Sequence, residues 1–148
     1  MSRVADIARR WIGTPYVHQA SVQGGGTDCL GLIRGVWREL YDHEPEAVPE
    51  YSRDWSEPQG DEVLTAAADR HFIRVLRGRD VHSGEMLLFR MRDGSVAKHL
   101  GVVGVGGSSP TFIHAYSGHG VVESHLSAAW LRRVSARFDF PTAPIKET

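Results

Sequence analysis

The sequence has one cysteine, no surplus of charge and no long apolar run, and each shortage removes a class of protein. A single thiol, Cys29, forbids an intramolecular disulfide and any zinc site built from two or four cysteines. Seventeen basic residues stand against eighteen acidic ones, for a net charge of −1. No global positive field is therefore available to hold nucleic acid. The longest uncharged apolar stretch is too short to span a bilayer. Arg3, Asp6, Arg9 and Arg10 interrupt the first ten residues, so the expectation is a chain without a secretory leader. Internal repeats and low-complexity tracts are also missing. What is present, 41% hydrophobic and 24% charged residues over 148 positions, suits one globular domain that buries its own core. We expect a single domain over 1–148, with its core at about 3–140 and a loose tail after Pro141.

Periodicity supplies the elements. Val4, Ile7, Ala8, Trp11 and Ile12 form the stripe of a short helix, capped by Ser2 and stopped at Gly13-Thr14-Pro15. Gly24-Gly25-Gly26 permits a tight turn. Thr27 or Asp28 then caps a second helix with the stripe Leu30, Ile33, Trp37, Leu40 and Tyr41. Residues 43–60, with prolines at 45, 49 and 58 and an excess of acids, form a connection too long for a simple turn. A helix is predicted over 61–71, and the remainder alternates as strands: 72–75, 85–92, 96–105, 111–116 and a run at 121–123. Asp93-Gly94 marks a hairpin, Ser127 to Arg132 a helical turn, and 134–138 a last strand. Helices first and hairpins after give an α+β domain, N-terminal helices packed on an antiparallel sheet.

Cys29 falls in the first turn of the second helix, where free backbone N–H groups and the helix dipole favour a thiolate. His99 and His114 lie on strands joined by a short turn, with a parity that allows both rings onto one face at a similar level. Thiol, imidazole and a second imidazole to orient the first make a Cys-His-His version of the nucleophile–base–orienter chain. A metal held by His99, His114 and Cys29 is conceivable, but no His-x-x-x-His or Cys-x-x-Cys spacing supports it, and no metal or organic cofactor is expected. The glycine run is not followed by Gly-Lys-Ser/Thr, so a phosphate cradle is not indicated.

Five blocks then occur in one order. Gly13-Thr14-Pro15-Tyr16, a glycine-rich stretch and Asp28-Cys29-Leu30-Gly31-Leu32 come first. Ser83-Gly84-Glu85-Met86-Leu87-Leu88-Phe89, Lys98-His99-Leu100-Gly101-Val102-Val103 and Phe112-Ile113-His114-Ala115 follow. This set resembles the NlpC/P60 cell-wall peptidases over nearly the whole chain, which implies a papain-like domain. The resemblance implies Cys29 as nucleophile, His99 as base and then acid, and His114 as the group that orients His99. Tyr16 and the backbone N–H of Cys29 would help bind the oxyanion or substrate. Asp28, His18 and His119 are further candidates for substrate contact. Leu30 stands where the family often has serine, and Val17-His18-Gln19-Ala20 replaces a Trp-Gly-Gly segment, which alters the groove wall.

The substrate so implied is the stem peptide of peptidoglycan, cut between γ-D-glutamyl and meso-diaminopimelate. Trp37 to Tyr41, Glu44-Pro45-Glu46 and Tyr51-Ser52-Arg53-Asp54-Trp55 resemble the cell-wall peptidases of phage tails and of phage-like gene transfer agents. That narrower resemblance implies tail hub or tip proteins as partners. It also implies synthesis in the cytoplasm and delivery to the wall by a particle. Two other readings fit the residues: a structural tail module with a vestigial site, and a thiol amidase or acyltransferase acting on another amide.

Overall fold

Ser2 opens the first helix, its Oγ accepting from the Ala5 N–H at 3.1 Å in a computed structural model that describes residues 2–48, 50–51, 62–76 and 80–141. Helix α1 covers Arg3–Arg9 and gives way to a turn that ends at Gly13, whose φ is +94°. Because helical winding ends before residue 12, Ile12 is exposed rather than continuing the buried stripe, while Ile7, Ala8 and Trp11 are buried. Ser21–Val22 and Gly26–Thr27 form a two-stranded hairpin, β1 and β2, around the glycine run. Helix α2, Cys29–Tyr41, buries Ile33, Trp37, Leu40 and Tyr41, with Leu30 half-buried. It ends on Asp42 in the left-handed region, whose N–H returns to the Arg38 carbonyl at 2.8 Å. Gly35 lets α1 and α2 touch: a Cβ there would lie 2.1 Å from the Trp11 ring.

Helix α3 is Val63–His71, followed by β3 (Ile73–Arg74), β4 (Met86–Arg90), β5 (Ala97–Val103), β6 (Thr111–Tyr116) and β7 (Gly120–His125). Helix α4 is Ala128–Arg133, capped by Ser127, and β8 is Val134–Asp139. The six long-range strands form one antiparallel sheet in the order β3-β8-β4-β5-β6-β7. Strands β4 and β5 are shorter than periodicity predicts, and a register shift between Phe89 and Arg90 interrupts their pairing. Much of the connection over 43–60, including Trp55, and the tail after Pro141 lie outside the described residues.

Alternation sorts the sheet into two faces. Met86, Leu88, Leu100, Val102, Ile113, Ala115 and Phe138 pack with α1, α2 and α3 in the larger core. Leu87, Phe89, Val103 and Phe112 form a second cluster on the other face with Leu126, covered by Trp130 of α4. The domain is α+β, with the first three helices on one face of an antiparallel sheet.

Candidate active site

Asp28 caps the helix that carries the thiol. Its Oδ1 accepts from the Gly31 N–H and its Oδ2 from the Gln19 N–H, both at 2.7 Å, and the Tyr51 hydroxyl also donates to Oδ2. Thr27, the other capping candidate, turns its hydroxyl to the Asp28 carbonyl instead. Gly31 lets the first turn of α2 press against the preceding loop, since a Cβ there would fall 1.9 Å from the Ala20 carbonyl oxygen. The chain is thereby held so that Cys29 begins the helix beneath the sheet, 7% exposed, with its Sγ 3.8 Å from the Lys98 carbonyl oxygen to which it donates.

The thiolate expected from helix position is corrected here. Burial and then the negative Asp28 push the Cys29 thiol up to about 12, although the N–H groups of Leu100, Leu30 and Cys29 act to lower it. Burial accounts for most of the reversal, and the cap adds to it. The carboxylate that satisfies the helix N-terminus takes up a backbone donor and adds a charge of the wrong sign beside the sulfur.

The two histidines meet as their strand parity requires. His99 Nε2 lies 2.8 Å from His114 Nδ1, and His114 Nε2 lies 3.1 Å from Ser124 Oγ. Both rings are buried, His114 almost completely at 1% exposure. His99 pairs with Phe89 across β4 and β5, and the His114 ring stacks on Phe112 with centroids 4.0 Å apart, so both belong to the α4 face of the sheet. Trp130 closes over them, 5.8 Å from the His99 centroid and 5.4 Å from that of His114. Burial, with His114 adding to it, brings His99 down to about 3; burial, with His119 adding to it, brings His114 down to about 4. Both imidazoles are therefore neutral at pH 7.

Cys29 and the histidines thus come from opposite faces of the sheet. They meet where the β5–β6 ladder stops: its registered pairs are Val102 with Ile113 and Val103 with Phe112, short of His99. At that end a cleft of about 210 Å³ is lined by Cys29 and His99 together with Tyr16, His18, Asp28, Tyr51, Lys98 and Tyr116, among others. Among the described residues the thiol's hydrogen bond goes to Lys98 and not to the His99 ring.

The remaining candidates separate. Tyr16 is half-buried on the cleft wall, its segment held by a parallel bridge to Thr27. His18 lies with its Nε2 2.9 Å from the Tyr51 carbonyl oxygen and its Nδ1 3.8 Å from Asp28. His119 stands outside the cleft lining, exposed and stacked on Tyr116 with centroids 5.1 Å apart. Glu44 and Glu46, from the acidic connection, are ion-paired to Arg34 and Arg38 and to Arg70 and His71. Periodicity missed Ser124, Tyr51 and Trp130 as neighbours of the site; only Ser124 left a signal, its parity with Val122 on a strand next to β6. Among the described residues no group of three or more His, Cys, Asp or Glu side chains is arranged to hold a metal ion. No described helix is long and apolar enough to cross a membrane.

Comparison with known proteins supplies the rest. No family sequence model matches the chain, and no curated protein matches it in sequence. Solved structures do. A lipoprotein-like NLP/P60 family protein of Staphylococcus aureus superposes with a TM-score of 0.59 at 18% identity, over 94% of this chain and 40% of that one. An NlpC/P60 family protein of Bacillus cereus gives 0.61 at 18% identity, again over 94% and 40%. The NlpC/P60 domain of the peptidoglycan hydrolase SagA gives 0.56 at 21% identity, over 93% of this chain and 96% of the domain. The chain therefore spans about 40% of the length of the two longer proteins and nearly all of the isolated domain. The α+β arrangement of this chain is the NlpC/P60 fold.

Proposed function

We propose that this protein is an NlpC/P60 cysteine peptidase that hydrolyses an amide bond in the stem peptide of peptidoglycan. The observation that carries the reading is His99, paired with His114 at 2.8 Å, opening onto the same cleft as a helix-start cysteine on this fold. The SagA likeness supports a cell-wall substrate, and the γ-D-glutamyl–meso-diaminopimelate bond is the target that the sequence resemblance favours.

Cys29 attacks the peptide carbonyl, forming the C–S bond as its proton passes to His99. The oxyanion is taken by Tyr16 and the Cys29 N–H, His99 returns the proton to the leaving amine as the C–N bond breaks, and water then hydrolyses the thioester. With the thiol held near 12 and the imidazole near 3, a pre-formed thiolate–imidazolium pair is disfavoured. Proton transfer therefore accompanies attack, driven by the developing oxyanion. His114 stabilises the His99 imidazolium by accepting from its Nε2–H.

Purified protein incubated with sacculi tests the reading. Wild type should release stem-peptide fragments and Cys29→Ala should not. Release that survives Cys29→Ala sinks the assignment of the nucleophile, and none from wild type returns the domain to a structural module. Mass spectrometry of the fragments distinguishes the γ-D-glutamyl–diaminopimelate cut from cleavage of another amide.

Delivery by a phage-like tail, with hub or tip proteins as partners and the periplasmic wall as the place of action, rests on the sequence resemblance at residues 37–55. Co-purification with tail particles tests it.

A further inference from the structure

We propose that Ser124 is a positioning residue that sets the proton arrangement of the histidine pair. The proposal rests on the thiol–imidazole reading above. Three adjacent strands carry the row: His99 on β5, His114 on β6 and Ser124 on β7. Ser124 is registered opposite Phe112 and His114 opposite Val122, so Ser124 is the diagonal neighbour of His114 on the same face, within side-chain reach. The contact is direct, His114 Nε2 to Ser124 Oγ at 3.1 Å.

The chemistry needs one tautomer of each ring. His99 spends its Nε2 on His114, so its Nδ1 is the nitrogen left to take a proton from the thiol. That nitrogen must be bare, which puts the His99 proton on Nε2, where it is donated to His114 Nδ1. His114 must then carry its own proton on Nε2, and a neutral ring 1% exposed needs an acceptor for it. Ser124 Oγ is that acceptor. Without it the pair can reverse: His114 protonates at Nδ1 and donates to His99 Nε2. The His99 proton then moves to Nδ1, facing the cleft, and the ring no longer acts as a base. A carboxylate in the third position admits no such reversal because it only accepts; an imidazole there admits both directions, and a hydroxyl as the fourth group keeps the productive one open by accepting from His114 Nε2–H.

The test is Ser124→Ala with Ser124→Thr as the conservative control. Nitrogen-15 NMR of the imidazoles reads the tautomers whether or not the protein turns over. We expect wild type to show His114 protonated at Nε2, Ser124→Ala to shift it toward Nδ1, and Ser124→Thr to restore it. In turnover of stem peptide, Ser124→Ala should lower kcat by about 10- to 100-fold with KM within about twofold, and Ser124→Thr should recover most of the loss. An unchanged tautomer in a folded Ser124→Ala protein overturns the proposal, as does an unchanged kcat. Should wild type and Ser124→Ala show the expected tautomers while wild type shows no turnover, the assignment of Ser124 to the proton arrangement stands and the peptidase reading falls.

Discussion

Two buried polar groups of residues sit on the same sheet, and only one of them is charged. At the start of β4, Glu85 is fully buried yet completely paired. Arg137 of β8 donates to it twice, at 2.8 and 2.9 Å, and the His82 N–H donates at 3.0 Å. At the other cluster no ion pair among the described residues holds Cys29, His99 or His114, and these ionisable members are driven to their neutral forms. The first group closes on itself and ties β8 to the loop before β4. The second is left able to exchange protons, at the mouth of a cleft. Burial is common to both; what separates them is whether opposite charge was buried alongside.

That contrast can be broken at either end. The largest effect expected is on chemistry: His99→Ala should lower release of stem-peptide fragments by about a thousandfold or more while the protein remains folded by circular dichroism. Next is the charged pair. Arg137→Ala leaves Glu85 buried without its guanidinium and should destabilise the fold by about 3–5 kcal/mol in urea titrations. The double change Glu85→Leu with Arg137→Met should recover most of that loss. Turnover per folded molecule should be unaffected in both, and a matching fall in kcat would show that the two groups are coupled.

Acid separates them further. The unfolded chain takes up protons on His99 and His114 near pH 6.5, whereas the folded values are about 3 and about 4. The unfolded state therefore binds more protons in that window, so stability is fully present above pH 6.5 and is lost as pH falls toward 3. Urea midpoints measured across this range should decline on acidification. His114→Asn should flatten the decline, and an equally steep profile in that variant would assign the loss to other groups. The smallest effect is at the cap. Asp28→Asn keeps a capping side chain but removes the charge beside the sulfur, and should speed iodoacetamide labelling of Cys29 at pH 8 by about tenfold. Labelling no faster than wild type would mean that burial alone holds the thiol protonated.

Much of this site was legible from local pattern. Ser2, and either Thr27 or Asp28, are caps by residue type and position, and the structure gives Ser2 and Asp28 the backbone hydrogen bond. The meeting of His99 and His114 follows from parity and from a turn short enough to make their strands neighbours. Other features could not be read that way. Ile12 fits the helical stripe, but the helix ends before it. Ser124 and Tyr51 are polar residues of ordinary appearance until β7 is set beside β6 and residue 51 is brought over Asp28. The helix dipole alone predicts the wrong ionisation for the thiol, because the dipole is a local property and the desolvation of Cys29 is not.

By itself, then, the sequence determined the elements, the faces of the strands and the presence of one thiol and two histidines at positions suited to meet. Periodicity and capping are set by residues three or four apart, so they survive without knowledge of the fold. Tertiary structure decided how the protons are held. The Cys29 sulfur meets the carbonyl of Lys98, Asp28 meets Tyr51, and His114 meets Ser124 across segments distant in the chain. Only that assembly excludes water from the thiol and both rings, and exclusion of water is what shifts their ionisation.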